Sequence, residues 1–240
     1  MVDIVYKGAD AVRKGFPAFM KEVAEKHQSK RICEVGGGAN PLFSPDYIQS
    51  QGIDYTLLDI SESELQKAAP EYKKIVADIA SPDFDASAMK FDLVFSKMLA
   101  EHVKDGERFH KNIFEALAPS GIAVHLFPTL YTFPFVTNVL IPESFSTFLL
   151  NIFAPRDKYQ YAKFPAYYSW CRGPTRRQIR RFTDLGYEVL EYQGLYGHSV
   201  YYKKIPIIRE LHALKTNYLL KRPIPMLTSF ACIILRKPPQ

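Results

Sequence analysis

The 240-residue sequence has few cysteines, no hydrophobic leader and no residue spacing typical of a metal site. Its three cysteines, Cys33, Cys171 and Cys232, are far apart and odd in number, which favours reduced, buried thiols over a disulfide framework. Residues 1–7 contain no apolar core, so the N-terminus does not resemble a signal peptide. No Cys and His residues are spaced as zinc ligands usually are. These absences predict a cytoplasmic location and a fold that needs neither a disulfide nor a structural metal.

Negative charge is scarce in the C-terminal third of the chain. Residues 155–240 carry 16 Lys and Arg against 5 Asp and Glu, whereas residues 1–154 carry 15 against 20. The overall charge of +6 therefore hides a mildly acidic first part and a strongly basic last part. The basic part could face an anionic substrate, nucleic acid or lipid headgroups, or it could be an ordinary solvated surface.

Short apolar runs alternate with helical patterns through the first half of the sequence. Apolar residues at helical spacing predict helices at Ala9–His27 and Gly106–Leu117. Apolar runs of strand length predict strands at Arg31–Val35, Asp54–Ile60, Lys74–Ile79, Phe91–Phe95 and Gly121–Phe127. Alternation at this spacing is typical of a parallel sheet with helices on both faces. Ligands of such sheets bind outside the carboxyl ends of the strands.

A glycine triplet follows the first predicted strand, and an acid ends each of the next two strands. The triplet Gly36–Gly38 lets the backbone turn sharply and approach a ligand without an intervening Cβ. Asp59 lies 25 positions after Glu34, where a carboxylate can accept hydrogen bonds from both hydroxyls of a ribose. Asp78 lies at the end of the third strand, near where an adenine would sit.

These motifs resemble those of the class I, Rossmann-like methyltransferases that use S-adenosylmethionine. The resemblance is close over residues 30–127. It rests on the glycine motif Glu34-x-Gly36-x-Gly38 and on the acids Asp59 and Asp78. It also rests on the fourth strand, Phe91–Ser96, and on the turn before the fifth strand, Leu117–Gly121. One departure is Asn40, which stands where the family has a third glycine.

The resemblance implies a fold, a cofactor and a set of cofactor-binding residues. The expected fold is α/β, with a mostly parallel seven-stranded sheet, helices on both faces and a C-terminal aromatic lid insertion. The expected cofactor is S-adenosylmethionine, and the residues implied to bind it are Glu34, Gly36, Gly37, Gly38, Asp59, Ile60, Asp78, Ile79 and Ser96. Residues 1–240 are expected to form one domain. Its parts are an N-terminal helical segment (1–30), a cofactor-binding core (31–127) and two lid or substrate insertions (128–175 and 195–225).

The sequence beyond residue 128 departs from the regular alternation of the core. The first insertion is rich in Phe, Tyr and Pro. After it, a basic helix is predicted at Thr175–Leu185, a strand at Tyr187–Tyr192, helical character within Tyr196–Arg222 and a final strand at Ser229–Arg236.

A nicotinamide-binding Rossmann domain is the structural rival of this interpretation. It would use a Gly-x-Gly-x-x-Gly turn that brings a helix N-terminus onto a pyrophosphate. Here Pro41 follows soon after the glycines and no helix is predicted close behind them, while S-adenosylmethionine has no phosphate to bind. The methyltransferase is therefore the favoured hypothesis, and a degenerate domain that keeps the fold as a scaffold is a further alternative.

His102 is the candidate catalytic residue, because it follows the fourth predicted strand at the edge where the methyl group would project. The ordinary imidazole pKa of about 6.5 suits a general base at neutral pH. The same histidine could instead cap a helix or pack beneath the site. Its neighbour Glu101 could orient a substrate or cap the same helix.

The run Met98–His102 also resembles the Glu-x-x-Glu-His stretch of ubiquinone-biosynthesis O-methyltransferases. In those enzymes the two acids and the histidine are associated with a divalent metal. Met98 replaces the first acid and so removes one hard oxygen ligand. No metal is therefore predicted.

The acceptor is expected to be a small molecule that receives the methyl group on oxygen or nitrogen. Irregular connections at strand ends usually carry specificity. The first insertion supplies an aromatic lid, whose members are Tyr131, Phe133, Phe135, Tyr159, Tyr161, Tyr167, Tyr168 and Trp170; most are expected to form a second small core. The residues predicted to face the acceptor are Tyr167, Tyr168, Arg172 and His198, and His198 is also the alternative base.

Nucleic acid is the alternative acceptor, because the C-terminal third is basic. The sequence opposes it, since no Asn/Asp-Pro-Pro-Tyr/Phe motif follows the fourth strand and no RNA-binding module is visible. No nucleic-acid partner is therefore predicted. Leu126–Pro142 has no charged residue but contains prolines that would break a spanning helix, so it favours at most peripheral contact with a bilayer. A monomer or a homodimer is expected.

Overall fold

A computed structural model describes residues 2–130, 165–197 and 206–239 of the chain. The strands are β1 (Asp3–Gly8), β2 (Arg31–Val35), β3 (Asp54–Asp59), β4 (Lys73–Val76), β5 (Phe91–Lys97), β6 (Leu117–Pro128), β7 (Glu188–Tyr196) and β8 (Phe230–Arg236). The helices are α1 (Ala9–Lys26), α2 (Pro45–Gln51), α3 (Glu62–Lys67), α4 (Gly106–Ala116), α5 (Arg176–Asp184) and α6 (Pro206–Lys221). Short 3₁₀ turns occupy Ala100–His102 and Pro225–Leu227.

The strands of these ranges form one eight-stranded sheet in the order β1-β7-β8-β6-β5-β2-β3-β4. Strands β2 to β6 are mutually parallel, and β1 is parallel to β7. Among the described strands, β8 alone runs antiparallel to its neighbours β6 and β7. This is the predicted α/β architecture, and its parallel strands place the segments after β2, β3, β4 and β5 at one edge of the sheet.

The additional strand, β1, corrects the predicted seven-stranded sheet, and the N-terminal segment predicted as helical, residues 1–30, contains this strand ahead of its helix. The strand pairs with β7 in parallel, from Asp3 opposite Glu191 to Gly8 opposite Tyr196. Its sequence signal is weak because an edge strand tolerates charged, partly exposed side chains and therefore shows little apolar alternation. The rest of the segment is helical as predicted, since α1 begins directly after the strand.

Other predicted elements are found with shifted ends. Strand β4 ends at Val76 rather than Ile79, and β7 continues to Tyr196 rather than Tyr192. The start of α5 agrees within a residue with the prediction because Thr175 caps it, accepting a hydrogen bond from the Gln178 backbone N–H. Side-chain caps are local signals, whereas strand ends depend on how far the neighbouring strand extends.

The core consists of the central strands and the inner faces of the helices. Strands β6 and β8 are buried over most of their lengths, as expected for strands covered on both sides. Helix α1 buries Phe16, Met20 and Val23 at the predicted helical spacing. The three cysteines are buried free thiols, also as predicted. Of the helices in the described ranges, none is both long enough and apolar enough to cross a bilayer.

Close packing around Gly173 provides a test of the fold. A Cβ at this position would collide with the carbonyl oxygen of Pro225 and the hydroxyl of Thr228. We expect Gly173→Ala to lower the free energy of unfolding by about 1–3 kcal/mol, the usual cost of overpacking. The corresponding fall in Tm, roughly 2–10 °C, can be measured by circular dichroism.

Gly15→Ala is the matched control for this substitution. Gly15 lies inside α1, and an added Cβ would meet no atom within 4 Å. Alanine is favoured over glycine in a helix by about 0.5–1 kcal/mol, so Tm should rise slightly. A Tm for Gly173→Ala equal to or above that of the native chain would contradict the close contact with Pro225.

Candidate active site

The glycine loop leaves β2 at the carboxyl edge of the sheet. Gly36 and Gly38 have φ angles of +77° and +43°, a region that favours glycine. A Cβ on Gly36 would lie 2.8 Å from Cδ1 of Leu99, and one on Gly38 would lie 3.2 Å from Oδ2 of Asp59. The loop, here called the cradle, thus packs between the segment after β5 and the end of β3, and a side chain at either glycine would crowd Leu99 or Asp59.

Glu34 stabilises this loop through hydrogen bonds. Its buried carboxylate accepts hydrogen bonds from the Tyr55 hydroxyl at 2.5 Å and from the Leu42 backbone N–H at 2.8 Å. Burial raises the pKa of Glu34 to about 7, although these two hydrogen bonds oppose the rise. Since both hydrogen bonds go to the same oxygen, Oε2, Glu34 fits a brace for the loop, and its contact with a cofactor stays a prediction.

Asp59 and Ile60 lie beside the cradle. The Oδ1 atom of Asp59 accepts a hydrogen bond from the Ser61 backbone N–H at 2.9 Å, while Oδ2 faces Gly38. The carboxylate is half-buried, and the following Ile60 side chain is exposed. An acid thus lies at the rim of the cradle next to an exposed apolar side chain, and the contact of both residues with a cofactor stays a prediction.

The segment after β4 forms a third part of the site. Asp78 is exposed and accepts a hydrogen bond from the Ala80 backbone N–H at 2.8 Å, whereas Ile79 is buried. The Asn112 side chain donates to the carbonyl oxygens of Ile79 at 2.7 Å and Ser81 at 3.0 Å. Sequence reasoning missed Asn112, a buried amide on the apolar face of α4 that fixes this segment; its polar side chain on that face was the available signal.

Ser96 lies deeper than predicted for a cofactor-binding residue. It is fully buried in β5, and its hydroxyl is 2.8 Å from Nδ1 of His125 on β6. Burial lowers the pKa of His125 to about 3, so this ring is neutral at physiological pH. A second buried ring, His110, lies 5.0 Å away between centroids. These residues form an uncharged group beneath the site. The sequence did not predict this group, because its members come from elements that are far apart in the chain.

Glu101 and His102 lie in the 3₁₀ turn just after β5. Met98, which leads into the turn, has the left-handed φ of +56°, a strained conformation that non-glycine residues seldom adopt. The Nδ1 atom of His102 is 2.8 Å from the carbonyl oxygen of Pro165. Since a carbonyl only accepts, Nδ1 carries the proton, and a neutral imidazole then has its lone pair on Nε2.

The carboxyl group of Glu101 is buried beside this histidine. Its Oε1 lies 3.8 Å from Nε2 of His102, and its Oε2 has no hydrogen-bond partner among the residues that the structure describes. Burial raises the pKa of Glu101 to about 8. At neutral pH the group is therefore mostly protonated, and the corner carries little negative charge.

Residues 165–172 pack directly over the turn. The backbone N–H groups of Tyr167 and Tyr168 both donate to the carbonyl oxygen of Glu101, at 2.7 and 3.0 Å. Tyr168 is buried with a φ of +50°, and Arg172 donates to the carbonyl oxygens of Tyr168 and Cys171. Of the residues predicted to face the acceptor, Tyr167 presents an exposed side chain, whereas Tyr168 and Arg172 stabilise their own segment.

Several predicted residues fall outside the described part of the chain. They are the alternative base His198 and the lid residues Tyr131, Phe133, Phe135, Tyr159 and Tyr161. Within the described ranges, no three His, Cys, Asp or Glu side chains are grouped as metal ligands would be. The absence of a metal stays a prediction.

A comparison with known protein families covers the residues of this site. A family model described as "Methyltransferase domain" matches residues 10–197, a range that includes the glycine loop, Asp59 and the turn with His102. The chain belongs to this methyltransferase family. Membership confirms the predicted enzyme class, a methyltransferase of class I that depends on S-adenosylmethionine, and the acceptor is a separate question.

Individual relatives are distant. The ubiquinone biosynthesis O-methyltransferase of Rickettsia canadensis is 23% identical over 168 residues, a match that covers 68% of this chain and only 65% of that protein. An S-adenosylmethionine-dependent methyltransferase from Archaeoglobus fulgidus has a TM-score of 0.53 at 14% identity and covers 94% of each chain. Phosphoethanolamine N-methyltransferase 2 of Haemonchus contortus, solved in complex with S-adenosylmethionine, has a TM-score of 0.50 at 15% identity and covers 92% of this chain and 53% of that one. The structural likenesses show a shared fold.

Cofactor binding by the methyltransferase should depend on Asp59. We expect Asp59→Ala to weaken S-adenosylmethionine about tenfold or more, because hydrogen bonds to a charged group contribute ~1.5–3 kcal/mol each. Isothermal calorimetry measures the dissociation constant. Asp54→Ala is the matched control, since Asp54 begins the same strand at the opposite edge. Equal affinities for the two variants, with the fold intact, would remove Asp59 from the site.

The buried carboxyl groups should make stability depend on pH. A carboxyl whose folded pKa is raised favours folding only while it is protonated, so stability should fall as pH rises from about 4.3, the unfolded value, towards the folded pKa. This window extends to about 7 for Glu34 and about 8 for Glu101. The free energy of unfolding in urea should therefore decline through this range.

Glu101→Gln removes one of these titrations while keeping the shape of the side chain. In this variant the free energy of unfolding should decline less with pH, with the clearest difference between neutral pH and the upper end of the window. Glu107→Gln, at an exposed position on α4, should follow the native profile. The same slope in Glu101→Gln as in the native protein would show that Glu101 is not held protonated by burial.

Proposed function

We propose that this methyltransferase transfers a methyl group to an oxygen or nitrogen atom of a small-molecule acceptor, with His102 as the general base. The observation that carries the proposal is the position of His102 at the carboxyl edge of β5, with Nδ1 directed to the Pro165 carbonyl oxygen and the lone pair on Nε2. Its turn adjoins the cofactor cradle, because Leu99 lies against Gly36.

The cradle has the features that S-adenosylmethionine requires. Gly36 and Gly38 allow the left-handed turns of the loop, and Asp59 at its rim would offer carboxylate oxygens to the ribose hydroxyls. Ile60 and Asp78 lie beside it on neighbouring strand ends and would hold the adenine, while Glu34 braces the loop. When bound, S-adenosylmethionine supplies a methyl group activated by its sulfonium sulfur. The presence of Gly36, Gly38, Asp59 and Asp78 also opposes the alternative of a scaffold that has lost its site.

His102 would act on the acceptor. The hydrogen bond from Nδ1–H to Pro165 fixes both the tautomer and the orientation of the ring, as a general base requires. Nε2 would accept the proton of an acceptor hydroxyl or ammonium group. The nearby Glu101 stays mostly protonated at neutral pH, so it does not compete for that proton as a carboxylate.

The proposed class of acceptor, a small molecule, is inferred from the residues around the turn. Tyr167 presents an exposed ring there, and His198 and the lid residues belong to the same insertions in sequence. A small molecule fits this arrangement, and the curated relative, an O-methyltransferase of ubiquinone biosynthesis, is in keeping with methylation on oxygen. A cytoplasmic monomer or homodimer belongs to the same proposal.

Substitution of His102 tests its role as base. We expect His102→Ala to reduce the methyl-transfer rate by roughly 10²–10⁴-fold, the usual share of proton transfer in catalysis, while the affinity for S-adenosylmethionine hardly changes. Transfer from labelled S-adenosylmethionine, with an acceptor found by screening polar, aromatic and glycosylated small molecules, gives the rate.

His27→Ala is the matched control, because His27 follows the far end of α1 at the opposite edge of the sheet. Its rate should equal that of the native enzyme. A loss of less than threefold in His102→Ala would make His102 a packing residue, and an equal loss of cofactor affinity would place it in the nucleoside pocket instead.

A further inference from the structure

The outer face of α6 is apolar and exposed. Ile207, Leu211, Leu214 and Tyr218, here called the α6 stripe, recur at helical spacing on one face and are 72%, 61%, 66% and 55% exposed. Single exposed apolar residues are common on soluble proteins, but a contiguous row along a helix usually marks an interaction site. The stripe is not explained by packing, since the buried side of the same helix is marked by Leu219.

Exposed apolar side chains continue beyond the helix. Ile224, Met226 and Leu227 follow α6 in a short connection and are all exposed. The Tyr196 hydroxyl fixes this connection, because it accepts a hydrogen bond from the Ile224 backbone N–H and donates to the Ile224 carbonyl oxygen. This part of the apolar surface is therefore fixed to the end of β7.

The helix lies at the edge of the sheet that carries the cofactor cradle. The chain leaves β7 and returns into β8 at that edge, where Leu195 pairs with Phe230. A Cβ on Gly197, just after β7, would lie 3.3 Å from the Thr216 side chain of α6. Strand β7 runs in the same direction as the strands that end at the glycine loop and Asp59. The stripe and the site thus share one edge of the molecule.

The charge around the stripe has one predominant sign. Arg209, Lys215, Lys221 and Arg222 are exposed on or just after α6, and Glu210 is the sole acid between residues 206 and 228. An apolar row accompanied by cations is the composition of helices that lie in the interface of an anionic bilayer. There the apolar side chains enter the headgroup region and the cations meet lipid phosphates.

We propose that α6 docks this methyltransferase on an anionic lipid surface through the α6 stripe. The cations around the stripe disfavour a second copy of the chain as occupant, because two such faces would repel each other. RNA would use the cations but would leave the apolar row without a partner. One corollary rests on the proposed function: a docked enzyme would take its acceptor from the lipid surface, because the stripe and the site lie at the same edge of the sheet.

Vesicle binding by the full chain tests the docking. The probes are vesicles of phosphatidylcholine alone and of phosphatidylcholine mixed with phosphatidylglycerol, each at low and high salt. We expect binding to the anionic vesicles that weakens with salt. Leu211→Gln combined with Leu214→Gln should reduce the partition coefficient about tenfold or more, since two apolar side chains no longer leave water on binding. Ala213→Gln, exposed on the same helix but off the stripe, is the matched control and should bind as the native chain does.

A second variant, in which cations rather than apolar residues are replaced, tests the docking independently. Lys215→Gln combined with Lys221→Gln and Arg222→Gln should also weaken binding to anionic vesicles, without any change at the stripe. Calorimetry with S-adenosylmethionine on every variant separates docking from catalysis. Vesicle binding without cofactor binding would refute the proposed function alone, and cofactor binding without vesicle binding would refute the docking alone.

Four results would overturn the docking proposal. The first is an absence of binding to anionic vesicles at low salt. The second is unchanged vesicle binding by the Leu211/Leu214 variant. The third is a concentration-dependent dimer that the same variant abolishes, which would assign the stripe to a second copy. The fourth is tight, salt-sensitive binding of single-stranded RNA that depends on the α6 cations while vesicles do not bind.

Discussion

A single buried carboxyl group, that of Glu34, connects the parts on which the active site depends. It receives the Tyr55 hydroxyl from the neighbouring strand and the Leu42 N–H from the far end of the glycine loop. Without it, both donors would be buried without a partner, and such unsatisfied groups cost about 1–3 kcal/mol each. The brace therefore fixes the loop against Leu99 on one side and Asp59 on the other, and every other contact of the cradle follows from that position.

The surroundings of the site are buried and nearly uncharged at neutral pH. Glu101 is largely protonated because burial raises its pKa to about 8, and the buried rings of His110 and His125 are held neutral since burial lowers their pKa values. In such low-dielectric surroundings the remaining charges act strongly. Asp59 lies at the rim of the cradle and Asp78 is exposed beside it, so these two acids are the charges that the proposed function assigns to cofactor binding.

The sequence was sufficient for features that are encoded locally. Glycines at Gly36 and Gly38, the spacing to Asp59 and the apolar faces of α1 and α4 all depend on residues close together in the chain, and the fold class followed from them. Strand β1 escaped prediction because pairing with a strand nearly two hundred residues away, not its own pattern, makes it a strand. Asn112 and His125 were missed for the same reason: their partners, Ile79 and Ser96, come from other elements. For Tyr168 and Arg172 the sequence predicted the neighbourhood, but not that both would stabilise their own segment.

The attachment of residues 165–172 to the turn after β5 uses main-chain groups. The N–H groups of Tyr167 and Tyr168 donate to the Glu101 carbonyl oxygen, and the carbonyl oxygen of Pro165 accepts from His102. Main-chain groups are retained when most side chains are replaced, so this segment can change its sequence without releasing His102. Selection, or an engineer, could therefore alter the exposed ring of Tyr167 while His102 keeps its place. Under the proposed function, the range of acceptors could then diverge faster than the chemistry.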